Sequence, residues 1–333
     1  MFDVMPRTLL ALLPLLAGSL LGAKPPEEPP AKGPDRLLID RARRLTLIDP
    51  DGKNEKELSK ESPELTPGNA KLSPDGKRLA AIYFTGEPRS WRLHVRGIDE
   101  KAPGTDLGVE CTSFAWSADG IEIAYSWDPG EDDVPRATHG IVNVKTKRTT
   151  PLMLPESHSI TEWSQNGEQF LTLSMEIVNP RKWSQNVWKL HLMNRDGTQH
   201  KALTDGKRAV SPGKLSPDGK RVLYLEREAF DDPPYSKQRG LKVLDVATGK
   251  LVEVEGVQLN AELRAYCWSP DGKRIAYAWS AAWEGKVEDR VNKEMECFLM
   301  VSDWNGKNAK TIATVKGTFQ IGVQGDLTHI DWR

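Results

Sequence analysis

One motif recurs along the chain and constrains its fold more than any other sequence feature. It reads Leu-Ser-Pro-Asp-Gly-Lys-Arg-Val-Leu-Tyr at residues 215–224, with near copies at 72–83 and 268–279 and looser ones at 116–125 and 163–173. The Ser-Pro-Asp-Gly segment predicts a tight turn, because Pro fixes the first corner, Asp bonds to nearby backbone and Gly takes the left-handed position. Apolar residues on both sides of the turn predict strands, so each copy is a β-hairpin.

The spacing of the hairpins predicts a ring of repeated units. The serines that open the turns are Ser73, Ser117, Ser164, Ser216 and Ser269, which gives steps of 44, 47, 52 and 53 residues. A third apolar strand follows each hairpin, and most third strands end in a tight turn into an outer strand. A repeat of this length with four antiparallel strands is typical of a β-propeller blade.

The number of third strands predicts six blades. They are expected at 45–49, 93–95, 141–144, 187–193, 241–246 and 298–301. Only five hairpins are visible, but residues 326–332 resemble a first strand and residues 34–40 resemble the end of a hairpin. The sequence therefore predicts an all-β, six-bladed propeller of four-stranded antiparallel blades. Its N- and C-terminal strands share one blade, which leaves no open sheet edge.

The S-P-D-G-K-R-[IVL]-A-Y units and their third strands resemble the WD-like repeats of the TolB family of periplasmic propellers. The same repeats occur in the propeller domains of prolyl-oligopeptidase-like serine peptidases. The resemblance covers residues 34–333 and implies the propeller fold. TolB proteins also carry an N-terminal α/β domain, for which this sequence leaves no room. A repeat motif specifies blades, so function has to be argued from particular sites.

The N-terminal segment predicts export. Residues 1–23 combine Arg7 with a short apolar run that ends in small residues, which is typical of a secretory signal peptide. Residues 24–34 form a Pro-rich linker, and residues 35–333 form the predicted propeller. We expect a periplasmic or secreted protein, without stable membrane insertion unless the signal stays uncleaved as an anchor.

Composition excludes several classes of partner and site. The formal net charge is -1, so no basic excess favours nucleic acid. The three cysteines, Cys111, Cys267 and Cys297, are too few for a disulfide framework and are expected to be buried thiols. Several of the 11 tryptophans fall at equivalent repeat positions, where they would fill the space between blades. We expect a monomer.

Sequence motifs give little support for catalysis or for a cofactor. No G-x-S-x-G segment occurs, which argues against a serine peptidase. The six histidines include no H-E-x-x-H motif and no pair at metal-ligand spacing, so no metal site and no cofactor are predicted. Residues 49–54 faintly resemble a calcium loop, but their place in the repeat is that of a turn between the third and fourth strands. The Asp of each S-P-D-G is likewise a turn residue.

Two groups of residues are candidates for binding. The connections between second and third strands are long and rich in aromatic and charged residues, which favours a binding surface on the face opposite the S-P-D-G turns. Its candidates are Trp91, Asp132, Asp133, Trp183, Asp231, Asp232, Tyr235 and Trp283. A second group lies on the inner strands and is expected to approach the central channel, with Glu162 paired to Lys214 and Lys71 paired to Asp331. The channel candidates are Lys71, Glu162, Lys214, His329 and Asp331.

The sequence favours an exported, non-enzymatic scaffold that recognises a protein or peptide through the face with the long loops. A propeller enzyme, such as a lyase or a glycan-acting hydrolase with its site at the channel mouth, stays open as an alternative. A small-ligand sensor at the same mouth is a third. Several histidines or carboxylates converging at the mouth would favour the enzyme, and a deep aromatic pocket would favour the sensor.

Overall fold

The computed structural model describes residues 35–41, 44–59, 65–85, 90–101, 103–128, 137–178, 186–227, 238–257, 261–281, 294–318 and 329–333. These residues form 25 strands and no helix. Within the described ranges, therefore, no helix is available that could cross a membrane. The predicted signal peptide and linker lie outside the described residues.

The strands form six antiparallel sheets, which confirms the six-bladed β-propeller predicted from the repeats. Blade 1 combines the C-terminal strand with the first three, and blades 2 to 6 follow in chain order. Blade 1 consists of β1 (Leu37–Arg41), β2 (Arg44–Ile48), β3 (Lys56–Glu57) and β25 (His329–Trp332). Blade 2 consists of β4 (Leu65–Leu72), β5 (Arg78–Thr85), β6 (Ser90–Gly97) and β7 (Thr105–Glu110). Blade 3 consists of β8 (Ser113–Trp116), β9 (Glu122–Trp127), β10 (Thr138–Asn143) and β11 (Thr149–Leu152).

The second half of the chain repeats the pattern with one irregular inner strand. Blade 4 consists of β12 (His158–Trp163), β13 (Gln169–Glu176), β14 (Val187–Asn194) and β15 (Lys201–Ala202). Blade 5 consists of β16 (Ala209–Val210), β17 (Lys214–Leu215), β18 (Arg221–Arg227), β19 (Gln238–Asp245) and β20 (Leu251–Glu253). Blade 6 consists of β21 (Ala261–Trp268), β22 (Arg274–Ala281), β23 (Glu294–Asp303) and β24 (Lys310–Thr318).

The inner strand of blade 5 is split into β16 and β17 because Pro212 lies between them. Proline has no N–H to donate to a strand ladder, so pairing with β18 stops there and resumes at Lys214. The Pro212 carbonyl instead accepts a 2.8 Å hydrogen bond from the Tyr266 hydroxyl of blade 6. The interruption therefore ties two neighbouring blades together.

The ring closes in blade 1 as the sequence predicted. β25 pairs antiparallel with β1, with Leu37 opposite Trp332 and Asp40 opposite His329. Beyond the strands, the Arg36 amide donates to the Arg333 carbonyl at 2.7 Å, and the Arg333 amide donates back at 3.0 Å. The first and last described strands thus pair within blade 1, and each covers a strand edge that the other would leave unpaired.

The S-P-D-G turns are held by their own side chains. In the first of them the Ser73 hydroxyl donates to Asp75 at 2.5 Å, and the Arg78 amide donates to the same hydroxyl at 2.9 Å. The Lys77 amide donates to the Asp75 carboxylate at 3.1 Å. The other four hairpins repeat the serine contact with Asp119, Asn166, Asp218 and Asp271. Because the same contact recurs in all five hairpins, the Asp or Asn at this position stabilises the turn.

The core lies between neighbouring blades, and the tryptophans fill it. Of the tryptophans just before the turn serines, Trp116, Trp163 and Trp268 are at most 6% exposed, and Trp332 at the equivalent place in blade 1 is 1% exposed. Each belongs to an apolar cluster formed by side chains of two neighbouring blades. Cys111, Cys267 and Cys297 are buried free thiols.

Candidate functional site

A funnel opens on the face that carries the S-P-D-G turns, where the inner strands converge. The space between its lining residues amounts to about 620 Å³, a volume that includes open solvent. Turn residues such as Ala118, Gln165 and Pro217 form its rim, while Trp116, Trp163, Trp268 and Cys267 contribute to its wall. Its base carries Glu162, Lys214, Asp331 and Arg333.

One carboxylate organises the base of the funnel. Lys214 Nζ lies 3.0 Å from Glu162 Oε1, and Lys71 Nζ lies 3.5 Å from the same oxygen. Lys71 also donates to the carbonyls of Phe114 and Thr161, both at 2.8 Å. The three donors of this ammonium thus contact blades 3 and 4 from blade 2.

Asp331 makes different contacts from the pair with Lys71 that the sequence predicted. Its carboxylate accepts a 2.8 Å hydrogen bond from the Leu72 amide and lies 3.7 Å from Arg333 Nη2. An inner strand has one edge without a neighbouring strand, so its amides need other acceptors. Asp331 satisfies one of them, while Lys71 extends to Glu162 instead. The neighbouring blades 1 and 2 are still joined by this aspartate.

The cluster keeps its charges fixed near neutral pH. Burial alone would raise the pKa of Glu162, but Lys214, Lys71 and Arg333 overcome it and lower that pKa to about 2. Burial lowers the pKa of Lys71 to about 8, against the opposing effect of Glu162. A carboxyl group that stays ionised is a poor general acid, because it carries no proton to give near neutral pH. Among the described residues, the base has two cations and two carboxylates, and Lys71, which pairs with Glu162 without lining the funnel, brings the whole cluster to three cations. This surplus suits an anionic ligand group.

His329, the remaining channel candidate, is buried at the start of β25, two residues before Asp331. It is not among the residues that line the funnel. Burial lowers its pKa to about 3, so the imidazole is neutral at physiological pH.

The face with the long loops is described only at its edge. Asp132, Asp133, Trp183, Asp231, Asp232, Tyr235 and Trp283 lie outside the described residues. Trp91 lies within β6, where its ring is 4.9 Å from that of Phe84 and 5.7 Å from that of Trp127. It packs partly buried against the core between blades 2 and 3. A binding role for this face stays a prediction.

Sequence reasoning missed a cluster of histidines in blade 4. One nitrogen from each of His158, His191 and His200 lies within 4.8 Å of the others. These residues stand on the inner strand, on the third strand and just before the outer strand. Their sequence spacing matches no ligand motif, because neighbouring positions across a sheet are far apart along the chain. Assigning strand register across the blade was the step that could have found them.

Comparison with solved structures shows what the fold resembles. A putative TolB from Agrobacterium tumefaciens superposes with a TM-score of 0.61 at 15% identity, covering 91% of this chain and 99% of that one. The chain has a TolB-like propeller fold. TolB from Acinetobacter baumannii superposes with a TM-score of 0.57 at 15% identity, and the match covers 90% of this chain and 66% of that one.

Sequence comparison gives weaker matches than structural comparison does. No protein-family model matches this chain. A curated relative, dipeptidyl-peptidase 5 from Porphyromonas endodontalis, is 25% identical over 150 residues. The match covers 43% of this chain and 20% of the peptidase. The chain thus spans about a fifth of that relative's length.

Proposed function

We propose that the chain is an exported, non-enzymatic scaffold that binds a protein or peptide segment, and that the funnel on the S-P-D-G face is its binding surface. The observation that carries this proposal is the combination of a rim of turn residues with a fixed charged base at one open mouth. Export is part of the proposal and rests on residues 1–23.

The funnel has the chemistry of a peptide site. Its rim is formed by residues of the turns, of which Gln165 is exposed and Ala118 and Pro217 are partly exposed, so these side chains can contact a bound segment. The surplus of cations in the cluster, which comes from Lys71 beside Glu162, would attract a carboxylate, either of an acidic side chain or of a chain terminus. Because the ion pairs tie several blades together, the base is already ordered before binding, and less binding energy is spent on ordering it.

Enzyme function is the weaker alternative at the same mouth. The relative with peptidase activity prompts it, but the sequence lacks a G-x-S-x-G elbow. Lys71 has a lowered pKa, which is a property of catalytic lysines. Its hydrogen-bonding donors are already used by two carbonyls and Glu162. That arrangement fits a structural tie better than a nucleophile.

Panning a random peptide library on the purified protein tests the proposal, followed by affinity measurements on an enriched peptide. Two variants, Gln165→Trp and Ala118→Trp, place bulky rings at the funnel rim without altering the core. We expect each to weaken binding at least tenfold. Thr149→Trp, on the exposed outer strand β11, is the matched control and should bind like the unmodified protein.

A triple variant, Trp183→Ala, Tyr235→Ala and Trp283→Ala, tests the face with the long loops in the same assay. Unchanged binding by this variant, with loss in the rim variants, supports the funnel. The reverse pattern would move the binding surface to the opposite face. Failure to enrich any peptide above background would contradict a peptide-binding scaffold.

A further inference from the structure

Three histidines converge on one face of blade 4. His158 begins the inner strand β12, His191 lies in the third strand β14, and His200 directly precedes β15. Their ring centroids are 4.4 to 4.8 Å apart, and one nitrogen of each lies within 4.8 Å of the others. His158 and His191 are buried, while His200 is exposed. We propose that they form a binding site for a divalent transition-metal ion, with Zn²⁺ the best fit.

The two buried imidazoles are each held through one nitrogen by a hydroxyl of β13. His158 Nδ1 lies 2.9 Å from Thr172 Oγ1, and His191 Nε2 lies 2.8 Å from Ser174 Oγ. A metal-binding histidine typically keeps its second nitrogen on such a partner, which fixes the ring orientation. His158 Nε2 and His191 Nδ1 are therefore the nitrogens left to bind an ion.

His191 Nδ1 supplies an independent reason to expect a ligand. It is buried and has no hydrogen-bond partner. Buried polar atoms without partners are uncommon, because they lose water and gain nothing in exchange. An ion between the three rings would satisfy this atom.

The spacing of the rings suits a metal ion. Nitrogens at about 2.0 to 2.1 Å from a tetrahedral Zn²⁺ stand about 3.4 Å apart, so the rings need to close by about 1.4 Å at most. The exposed His200 side chain is the one free to move.

The fourth coordination position is left for water or another ligand. His139 of blade 3 is not counted as a fourth ligand, because its two ring nitrogens already contact Ser126 Oγ at 3.0 Å and the Pro155 carbonyl at 3.2 Å. Three histidines with an open fourth position form a donor set that Zn²⁺ accepts in proteins. This site is separate from the funnel, and the proposal does not depend on the proposed function.

Metal titration of the full chain tests the site. The protein carries no polyhistidine tag and is stripped with a chelator that is then removed by dialysis. We expect calorimetry with Zn²⁺ to show one saturable equivalent, Co²⁺ to give the intense visible bands of a four-coordinate ion, and Zn²⁺ to raise the melting temperature. His200→Ala should weaken Zn²⁺ binding at least tenfold and abolish the melting shift. Lys201→Ala, the exposed neighbour, is the matched control and should behave like the unmodified protein.

A rescue variant distinguishes a ligand from a packing residue. Because thiolate is also a good Zn²⁺ ligand, His200→Cys should restore one equivalent and add a sulfur-to-metal charge-transfer band with Co²⁺. His158→Gln combined with His191→Gln should abolish binding. Absence of saturable binding to the unmodified protein, or equal affinity in His200→Ala, would overturn the proposal and leave three packed imidazoles.

Discussion

At the scale of single residues, an arginine and a tryptophan join neighbouring blades. The arginine that ends S-P-D-G-K-R lies over the tryptophan of the next blade in three places, with guanidinium-to-ring distances of 4.8 to 5.3 Å. The pairs are Arg78 with Trp116, Arg221 with Trp268, and Arg274 with Trp332. Arg78 and Arg221 also donate to glycine carbonyls of the next turn at 2.8 and 2.9 Å. The repeat therefore carries its own link between blades.

Where the motif changes, its partner changes too. Blade 3 has Glu122 in place of the arginine, and Arg195 of blade 4 bonds to it at 3.3 Å while lying 5.1 Å over Trp163. Blade 4 has Gln169 at that place, and blade 5 correspondingly has Leu215 where a tryptophan would stand. The sequence showed the tryptophans as fillers between blades. It did not show the arginines that pair with them, since the three pairs are 38, 47 and 58 residues apart and adjacent only in the folded ring.

Removing one of these cations should weaken the propeller. We expect Arg221→Ala to lower the free energy of unfolding by about 1 to 2 kcal/mol, because a ring contact and a hydrogen bond are lost together. Lys220→Ala, on the adjacent exposed residue, should change it by less than about 0.5 kcal/mol. Urea denaturation followed by tryptophan fluorescence measures both. Equal midpoints for the two variants would show that the arginine contributes nothing.

His329 should make stability depend on pH. Burial lowers its folded pKa to about 3 from the usual 6.5, with Lys214 adding to the effect and Asp331 opposing it. Between about pH 3 and 6.5, His329 is protonated in the unfolded chain and neutral in the folded one. Its contribution to the free energy of unfolding is therefore complete above about pH 6.5 and is lost as the pH falls. The slope from this residue is about 1.4 kcal/mol per pH unit. His329→Gln should flatten the stability curve between pH 6.5 and 4 by that amount, whereas parallel curves would refute it.

At the scale of elements, the inner strands are joined by the charge cluster around Glu162. Strand alternation predicted that these positions approach the channel, and it predicted the contact of Glu162 with Lys214. It could not predict the reach of Lys71, whose long side chain crosses to blade 4. Nor could it predict that Asp331 accepts a backbone amide. Period-two patterning gives the face of a strand, while side-chain conformation decides the partner.

The shared carboxylate predicts unequal effects of removing its partners. Glu162→Gln leaves Lys71 and Lys214 buried without their common anion and should cost about 3 to 5 kcal/mol of unfolding free energy. Lys214→Met should cost clearly less, because Glu162 keeps Lys71 at 3.5 Å. Guanidinium chloride would mask ion pairs through its salt effect, so urea is the denaturant of choice. A larger loss in Lys214→Met than in Glu162→Gln would contradict the shared arrangement.

At the scale of the whole molecule, the repeat period predicted the blade count and the closure of the ring. Both follow from local turn chemistry and from the need to cover sheet edges. The repeat period did not indicate which face of the propeller binds a ligand. Aromatic residues that the sequence predicts in the loops favoured one face, whereas the funnel became visible only when the inner strands were assembled around a channel. A concave surface has no signature in the sequence, because residues from all six blades line it.

Hydrogen exchange measured with and without an enriched peptide tests the central claim most directly. The account predicts that the peptide slows exchange in the turns at 117–120, 164–167, 216–219 and 269–272, and that Gln165→Trp removes this protection. Protection confined to the loops at 86–89, 129–136, 179–185, 228–237 and 282–293, and unaffected by Gln165→Trp, would contradict it.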